Sequence, residues 1–273
     1  MKTSSDSTVA VVIPAFGRPR RLRQAVESVL NQEETDFQLV VVDDASPLDF
    51  GLSDVREFVE RAGHRWIVHS ENRGPAASRN TGAAATSAEW IAFLDSDDTW
   101  EPRKLAAQLE WHREHPDFQI SQCEEGWIRK GKPADKPTHL QQPDSGRIFS
   151  ESTRRCCISP SAVLMSRDLW NEAGGFDEWF RVCEDYELWL RITARHPVGF
   201  VPGKWVTKFG GASDQLTASV PHGIDRWRIA ALLKFLETGN PDGAQFDATI
   251  SALLEKAAII GKKGFPEPTG SVH

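Results

Sequence analysis

Up to Trp100 the chain alternates between two periodicities, and its apolar runs end in charge. TVAVVIPAF (8–16) is a short β-branched run stopped by Pro14, and RRLRQAVESVLNQ then sets Leu22, Ala25, Val26, Val29 and Leu30 at helical spacing. FQLVVVDDAS (37–46) is a second strand. LSDVREFVERAG reads as a helix with Ser53 as its cap and Gly63 as its stop. RWIVHS, PAASRNTGAAAT and EWIAFLD continue as strand, helix, strand. Strands that are apolar throughout and separated by helices predict a parallel sheet covered on both faces, an α/β fold. In such sheets ligands bind at the carboxyl ends of the strands. Three of these four strands end there in polar or acidic clusters.

Past Trp100 the pattern loosens. EPRKLAAQLEWHREHP is a helix with Pro102 early and Pro116 just beyond its end. Residues 129–147 are rich in Pro, Gly and Lys and read as a loop. SPSAVLMSRDLW resumes a strand and a helix, EDYELWLRITARH is helical, and GKWVTKFGGASDQLT is a strand entering a Gly-rich loop. Two amphipathic helices follow His222, and no internal repeat is found. We therefore expect a ligand-binding half over 1–100, a second half of the same domain over 101–219, and a helical extension over 220–273.

A formal net charge of −7 argues against a nucleic-acid surface. No stretch reaches the roughly 20 apolar residues of a membrane span, and the polar start MKTSSDSTVA has no signal-peptide core. The expected location is cytoplasmic, with at most peripheral membrane contact. Cys123, Cys156, Cys157 and Cys183 show no metal-ligand spacing, and the adjacent pair reads as buried small hydrophobes.

The chemistry gathers at the strand ends. Asp43 and Asp44 close the second strand, where a carboxylate can accept from a ribose hydroxyl or a base N–H, or simply cap a turn. In ENRGPAASRN, Arg73 and Arg79 flank a helix start at Pro75, an arrangement suited to a diphosphate. FLDSDDTW crowds Asp95, Asp97 and Asp98 at the end of the fourth strand. Carboxylates that close repel, so a positive partner is expected, either a hard divalent cation or a helix-capping role in its place. In CEDYELWLR, Glu184 and Asp185 suit a general base or the favoured acids of a helix N-terminus.

Taken in order, VVIPAFGRPRRLRQAVESVLNQ, VVVDDAS, NRGPAASRNTG, FLDSDD, GGFDE and CEDYELWLR resemble the family 2 glycosyltransferases of the GT-A fold, over roughly residues 8–217. The resemblance implies a Rossmann-like nucleotide-binding half on a mixed, mostly parallel sheet, and a nucleoside-diphosphate sugar as co-substrate. It implies that Pro14, Ala15 and Phe16 line the nucleobase pocket, that Asp44 reads the base, and that Arg73 approaches the diphosphate. Arg18, Arg79, Asp95 and Ser96 join that donor side. Asp97 becomes the principal ligand of Mg²⁺ or Mn²⁺, with Asp98 assisting, and Asp185 the base of an inverting transfer, with Glu184 beside it. The acceptor is expected to be a saccharide, free or lipid-linked, and a homodimer stays open.

One departure stands out. Relatives carry a His after a glycine pair where this chain has Gly210, Gly211 and Ala212, which leaves His222 or another residue to supply the missing contact. Ala212 keeps open a catalytically weakened sugar-nucleotide-binding protein, and a retaining transferase stays open because the sequence does not show which face of the sugar the acceptor meets. A nucleotidyltransferase is disfavoured because IPAFGRPRRL has one glycine and no lysine, and a dinucleotide oxidoreductase because no GxGxxG follows the first strand. Of ten tryptophans, most are expected in the core, with Trp127 and Trp179 the candidates for sugar stacking.

Overall fold

The alternation before Trp100 becomes the strands β1 (Val9–Ala15), β2 (Phe37–Asp43), β3 (Arg65–Val68) and β4 (Trp90–Phe93), interleaved with helices α1 (Pro19–Leu30), α2 (Ser53–Arg61) and α3 (Pro75–Ala84). They belong to a computed structural model that describes residues 8–136, 141–210 and 223–263. β1 pairs in parallel with both β2 and β4, and β2 with β3. Beyond them come β5 (Thr99–Trp100), α4 (Lys104–Glu114), β6 (Ile120–Arg129), β7 (Lys132–Ala134), α5 (Phe149–Arg154), β8 (Val163–Ser166), α6 (Arg167–Ala173), α7 (Glu184–Thr193) and β9 (Gly199–Gly210). Among the described residues the strands form one mixed sheet in the order β3-β2-β1-β4-β8-β6-β9-β5, with β7 on β6. The expected α/β architecture is what the chain adopts.

The apolar runs are continuous because both faces of the sheet are covered. Val9, Val11 and Ile13 of β1 pack with Leu22 and Val26 of α1 and with Val55 and Val59 of α2. Val12 turns the other way, toward Val40, Val42, and Ala76 and Ala83 of α3. Each fully buried Val or Ile contributes about 1.5–3 kcal/mol. α3 lies so close to β1 that a Cβ on Gly82 would stand 2.3 Å from Val12 Cγ1. A third core joins Phe149, Tyr186 and Leu190 to Leu232 and Phe235 of α8 (Asp225–Thr238) and Ala252 of α9 (Gly243–Lys263).

Two local expectations are corrected. Ser53 is the first helical residue of α2 rather than its cap; Leu52 holds that position without a side-chain bond. The stretch 129–147 is not all loop, since Lys132–Ala134 pairs antiparallel with β6. The ten-residue strand β6, ISQCEEGWIR, has no apolar alternation to reveal it. Its polar residues point to what it lines. Among the described residues no helix is long and apolar enough to cross a membrane.

Candidate functional site

A cleft of about 870 Å³ opens over the carboxyl ends of β1 and β2 and beyond β4, closed on the far side by β6, β9 and the start of α7. Pro14, Ala15, Phe16, Arg18, Asp44, Arg79, Asp95, Ser96, Asp97, Asp98, Glu184 and Asp185 all line it. Gly210 lies on its rim, whereas Gly211, Ala212 and His222 fall outside the described residues.

The β2 end is a loop organiser. Asp43 Oδ1 accepts from Ser46 N–H at 3.0 Å, a turn cap. Asp44 Oδ1 accepts from Arg73 N–H at 2.9 Å and lies 2.7 Å from His69 Nδ1, while Oδ2 accepts from Gly74 N–H at 2.7 Å. Asp44 thus fixes the loop into α3, with Gly74 at φ 88 where a side chain is disfavoured. The Arg73 guanidinium turns to Glu178 at 2.8 Å, and Arg73 is not among the residues that line the cleft. Arg181, beside Gly74, lines the cleft together with Arg18, Arg79 and Arg129.

The positive partner demanded by FLDSDDTW is supplied by three side chains. Arg79 donates one guanidinium nitrogen to Asp95 at 2.7 Å and another to Glu184 at 2.7 Å. Lys208 of β9 lies 2.7 Å from Asp98 and 3.7 Å from Asp95. Arg18 reaches Asp97 at 3.2 Å. Ser161 Oγ also donates to Asp98 at 2.6 Å. Burial opposes the charge of Asp95, yet Arg79 and Lys208 hold its pKa below the usual carboxylate value. Burial pushes Asp98 up to about 7 against the pull of Lys208, with Asp95 and Asp97 adding repulsion. Burial, then Asp95, also raises Asp97. Lys208 and Arg79 are raised as well: burial works against them, and their carboxylate partners more than offset it.

Among the described residues no group of three His, Cys, Asp or Glu side chains is arranged to hold a metal ion. All three carboxylates face a cation, and Asp97 is held by the longest of these pairs, to Arg18 at 3.2 Å against 2.7 Å for Asp95 and Asp98, so it is the one most readily released to the cleft. One carboxylate fits a hard cation that arrives with a diphosphate and takes most of its oxygens from phosphate and water. It does not fit a metal centre assembled beforehand.

Across the cleft, Cys183 holds φ 61 at the N-cap of α7, a strained conformation for a non-glycine residue that turns Glu184 and Asp185 inward. Asp185 Oδ1 accepts from Tyr186 N–H at 2.7 Å, and the Cys156 thiol donates to Oδ2 at 3.3 Å. Burial pushes Glu184 up to about 7, against Arg79 and with Asp185. Of the cysteine pair, Cys157 is buried as expected, but Cys156 is half-buried in the cleft wall. β6 adds Glu125, 4% exposed and paired with Lys136 at 2.6 Å, and Trp127. Trp179, by contrast, is exposed and lies tilted against Trp227, its ring centroid 5.4 Å away, and is not among the residues lining the cleft. Trp127, a stacking candidate from the sequence, does line the cleft, whereas Lys208, Cys156 and Glu125 were not visible as site residues; the one usable signal for them was a polar strand between apolar ones.

A family model described as Glycosyl transferase family 2 matches residues 10–172. A Rickettsia bellii protein named "Uncharacterized glycosyltransferase" is 32% identical over 222 residues, which cover 80% of this chain and 31% of the relative. An Escherichia coli relative, "UDP-Glc:alpha-D-GlcNAc-diphosphoundecaprenol beta-1,3-glucosyltransferase WfgD", is 28% identical over 206 residues, 73% of this chain and 77% of its own. The fold is shared with S. aureus TarS 1-349 in complex with UDP-GlcNAc, at TM-score 0.70 and 17% identity, covering 91% of this chain and 72% of that one. The chain belongs to glycosyl transferase family 2. It spans about a third of the length of the Rickettsia relative.

Proposed function

We propose that this chain moves a sugar from a nucleoside-diphosphate sugar to an acceptor hydroxyl with inversion. The observation that carries the reading is the cleft itself: Asp97 on one wall and Asp185 on the other open on one space, and Arg79 ties Asp95 to Glu184 across it. Pro14, Ala15 and Phe16 offer an apolar ledge for a nucleobase beside Asp44. Arg18 and Arg181 supply positive charge for phosphate oxygens, in place of Arg73. Asp97 would hold Mg²⁺ or Mn²⁺ together with the diphosphate, and that ion's chemistry is to offset charge on the departing phosphate.

Asp185 is the base. Its Oδ2 takes the proton of the acceptor hydroxyl as that oxygen attacks the anomeric carbon and the sugar–phosphate bond breaks. The Cys156 thiol and the Tyr186 N–H orient the carboxylate. Glu184 stays with Arg79 and positions the first turn of α7. Residues 1–100 would hold the donor and 101–219 the acceptor, with 220–273 as a helical extension. A saccharide acceptor, free or carried on a lipid diphosphate, is in keeping with the printed name of the E. coli relative. Such an acceptor would bring the chain to the inner face of a membrane.

The test is a thermal-shift panel of nucleoside diphosphates and nucleotide sugars, with and without Mn²⁺. A ligand at about 100-fold its Kd adds about 2.7 kcal/mol. A panel in which none stabilises the protein, or in which Asp97→Asn leaves every Mn²⁺-dependent shift intact, would overturn the reading.

A further inference from the structure

Lys208 has one N–H too many for the ion pairs it makes. An ammonium carries three donors. One meets Asp98 at 2.7 Å and another meets Ser159 Oγ at 2.9 Å. Asp95 stands at 3.7 Å, beyond hydrogen-bond reach. No other acceptor among the described residues takes the third, and Lys208 lines the cleft with its side chain 19% exposed. It arrives on β9, in register with Trp127 of β6, so a rigid strand rather than a loop fixes its stem.

The charges around it point the same way. Asp95 and Asp98 are each satisfied by one close cation, Arg79 and Lys208. A metal ion would find each of the three carboxylates already facing a cation, Asp97 included through Arg18 at 3.2 Å, whereas an anion entering beside Asp97 would meet Lys208 and Arg18 already charged and held. We propose that Lys208 is the resident cation of the donor site, donating its third N–H to a phosphate oxygen of the bound nucleoside diphosphate, so that the cleft retains a diphosphate without any metal ion. The inference rests on the nucleotide-sugar reading and adds to it a residue and a metal-independent mode of binding.

Inorganic pyrophosphate is the probe, because it presents the diphosphate without base or sugar. Its affinity is measured by calorimetry in EDTA and again in Mn²⁺. The protein should bind pyrophosphate in both. Lys208→Met alone leaves Asp98 buried with fewer partners, at a cost to folding, so it is paired with Asp98→Asn, which removes both charges together. A charge-assisted hydrogen bond is worth about 1.5–3 kcal/mol, so the double variant should bind about 10- to 100-fold more weakly in EDTA. Lys208→Arg should keep EDTA-resistant binding. Should the double variant not fold, Asp98→Asn alone decides, since release of Lys208 from Asp98 should tighten binding in EDTA. Wild-type affinity of the double variant in EDTA, or binding by the wild type in Mn²⁺ only, overturns the role of Lys208 and leaves the donor site standing. Failure of pyrophosphate to bind under either condition overturns both.

Discussion

Arg79 and Glu184, 105 positions apart in the chain, meet at 2.7 Å in the lining of the cleft. The other end of the same guanidinium holds Asp95 at 2.7 Å, so one side chain of α3 joins the end of β4 to the start of α7. Arg79 is 4% exposed and Glu184 6%. Breaking a buried pair by removing one partner costs about 3–5 kcal/mol, because the charges left behind have no water. Arg79→Met should therefore lower the unfolding free energy by that order in a urea titration. Arg79→Lys, with a compact ammonium in place of the planar fork, loses the two-sided geometry of the bridge and should fall between. Midpoints equal to wild type for both would refute the bridge as a structural element.

Asp98 makes a pH prediction whose sign is fixed. Its folded pKa is raised from 3.8 to about 7, chiefly by burial. Between those values the folded protein binds a proton that the unfolded chain has released, so its contribution to stability is full below 3.8 and is lost as pH rises through 7. Asp98→Asn stays neutral throughout. The difference in Tm, variant minus wild type, should therefore grow more positive from pH 4 to about pH 7. A constant or shrinking difference would mean that Asp98 is already ionised at low pH.

The legible part of the fold is the part whose physics is local. Val9–Ala15 and Phe37–Asp43 read as strands because both their faces are buried and nothing interrupts the apolar run. Strand β6 was hidden because its residues answer to the cleft: Glu125 and Trp127 face a ligand space, and Gln122 is sealed under the loop by a bond from Gln142 at 3.0 Å. The site divides in the same way. Motif order brought Asp97 and Asp185 to the same cleft, but the partner of each carboxylate depends on register. Arg73 and Arg79 share one motif, yet the first turns out to Glu178 and the second inward to Asp95. Lys208 lies in a strand whose pairing with β6 no local pattern announces.

Gly82 tests the packing that brings α3 and its arginine to the sheet. A methyl there would stand 2.3 Å from Val12 Cγ1, and Val12 is itself in the middle of β1 with no room to retreat. Gly82→Ala gains helix propensity, about 1 kcal/mol at an open site. Here overpacking of about 1–3 kcal/mol opposes it, and the net effect should be destabilising in chemical denaturation. A stabilised variant would mean that α3 can lift from β1 without loss.

Asp185 separates binding from chemistry. It sits in the first turn of α7, 3.3 Å from the Cys156 thiol, and makes no ion pair among the described residues, unlike Glu184 beside it. A base contributes through proton transfer in the transition state, about 10²–10⁴-fold, and adds little to the ground-state grip on the donor. Asp185→Asn keeps the shape and the bond from Tyr186 N–H but cannot take a proton. Its kcat should fall by that factor while the nucleotide-induced thermal shift is unchanged. Cys156→Ala removes only an orienting donor, so its loss should be much smaller and Cys156→Ser should recover most of it. If Asp185→Asn instead weakened nucleotide binding and left kcat alone, the carboxylate would belong to the donor site, and the acceptor's proton would have to leave by another route.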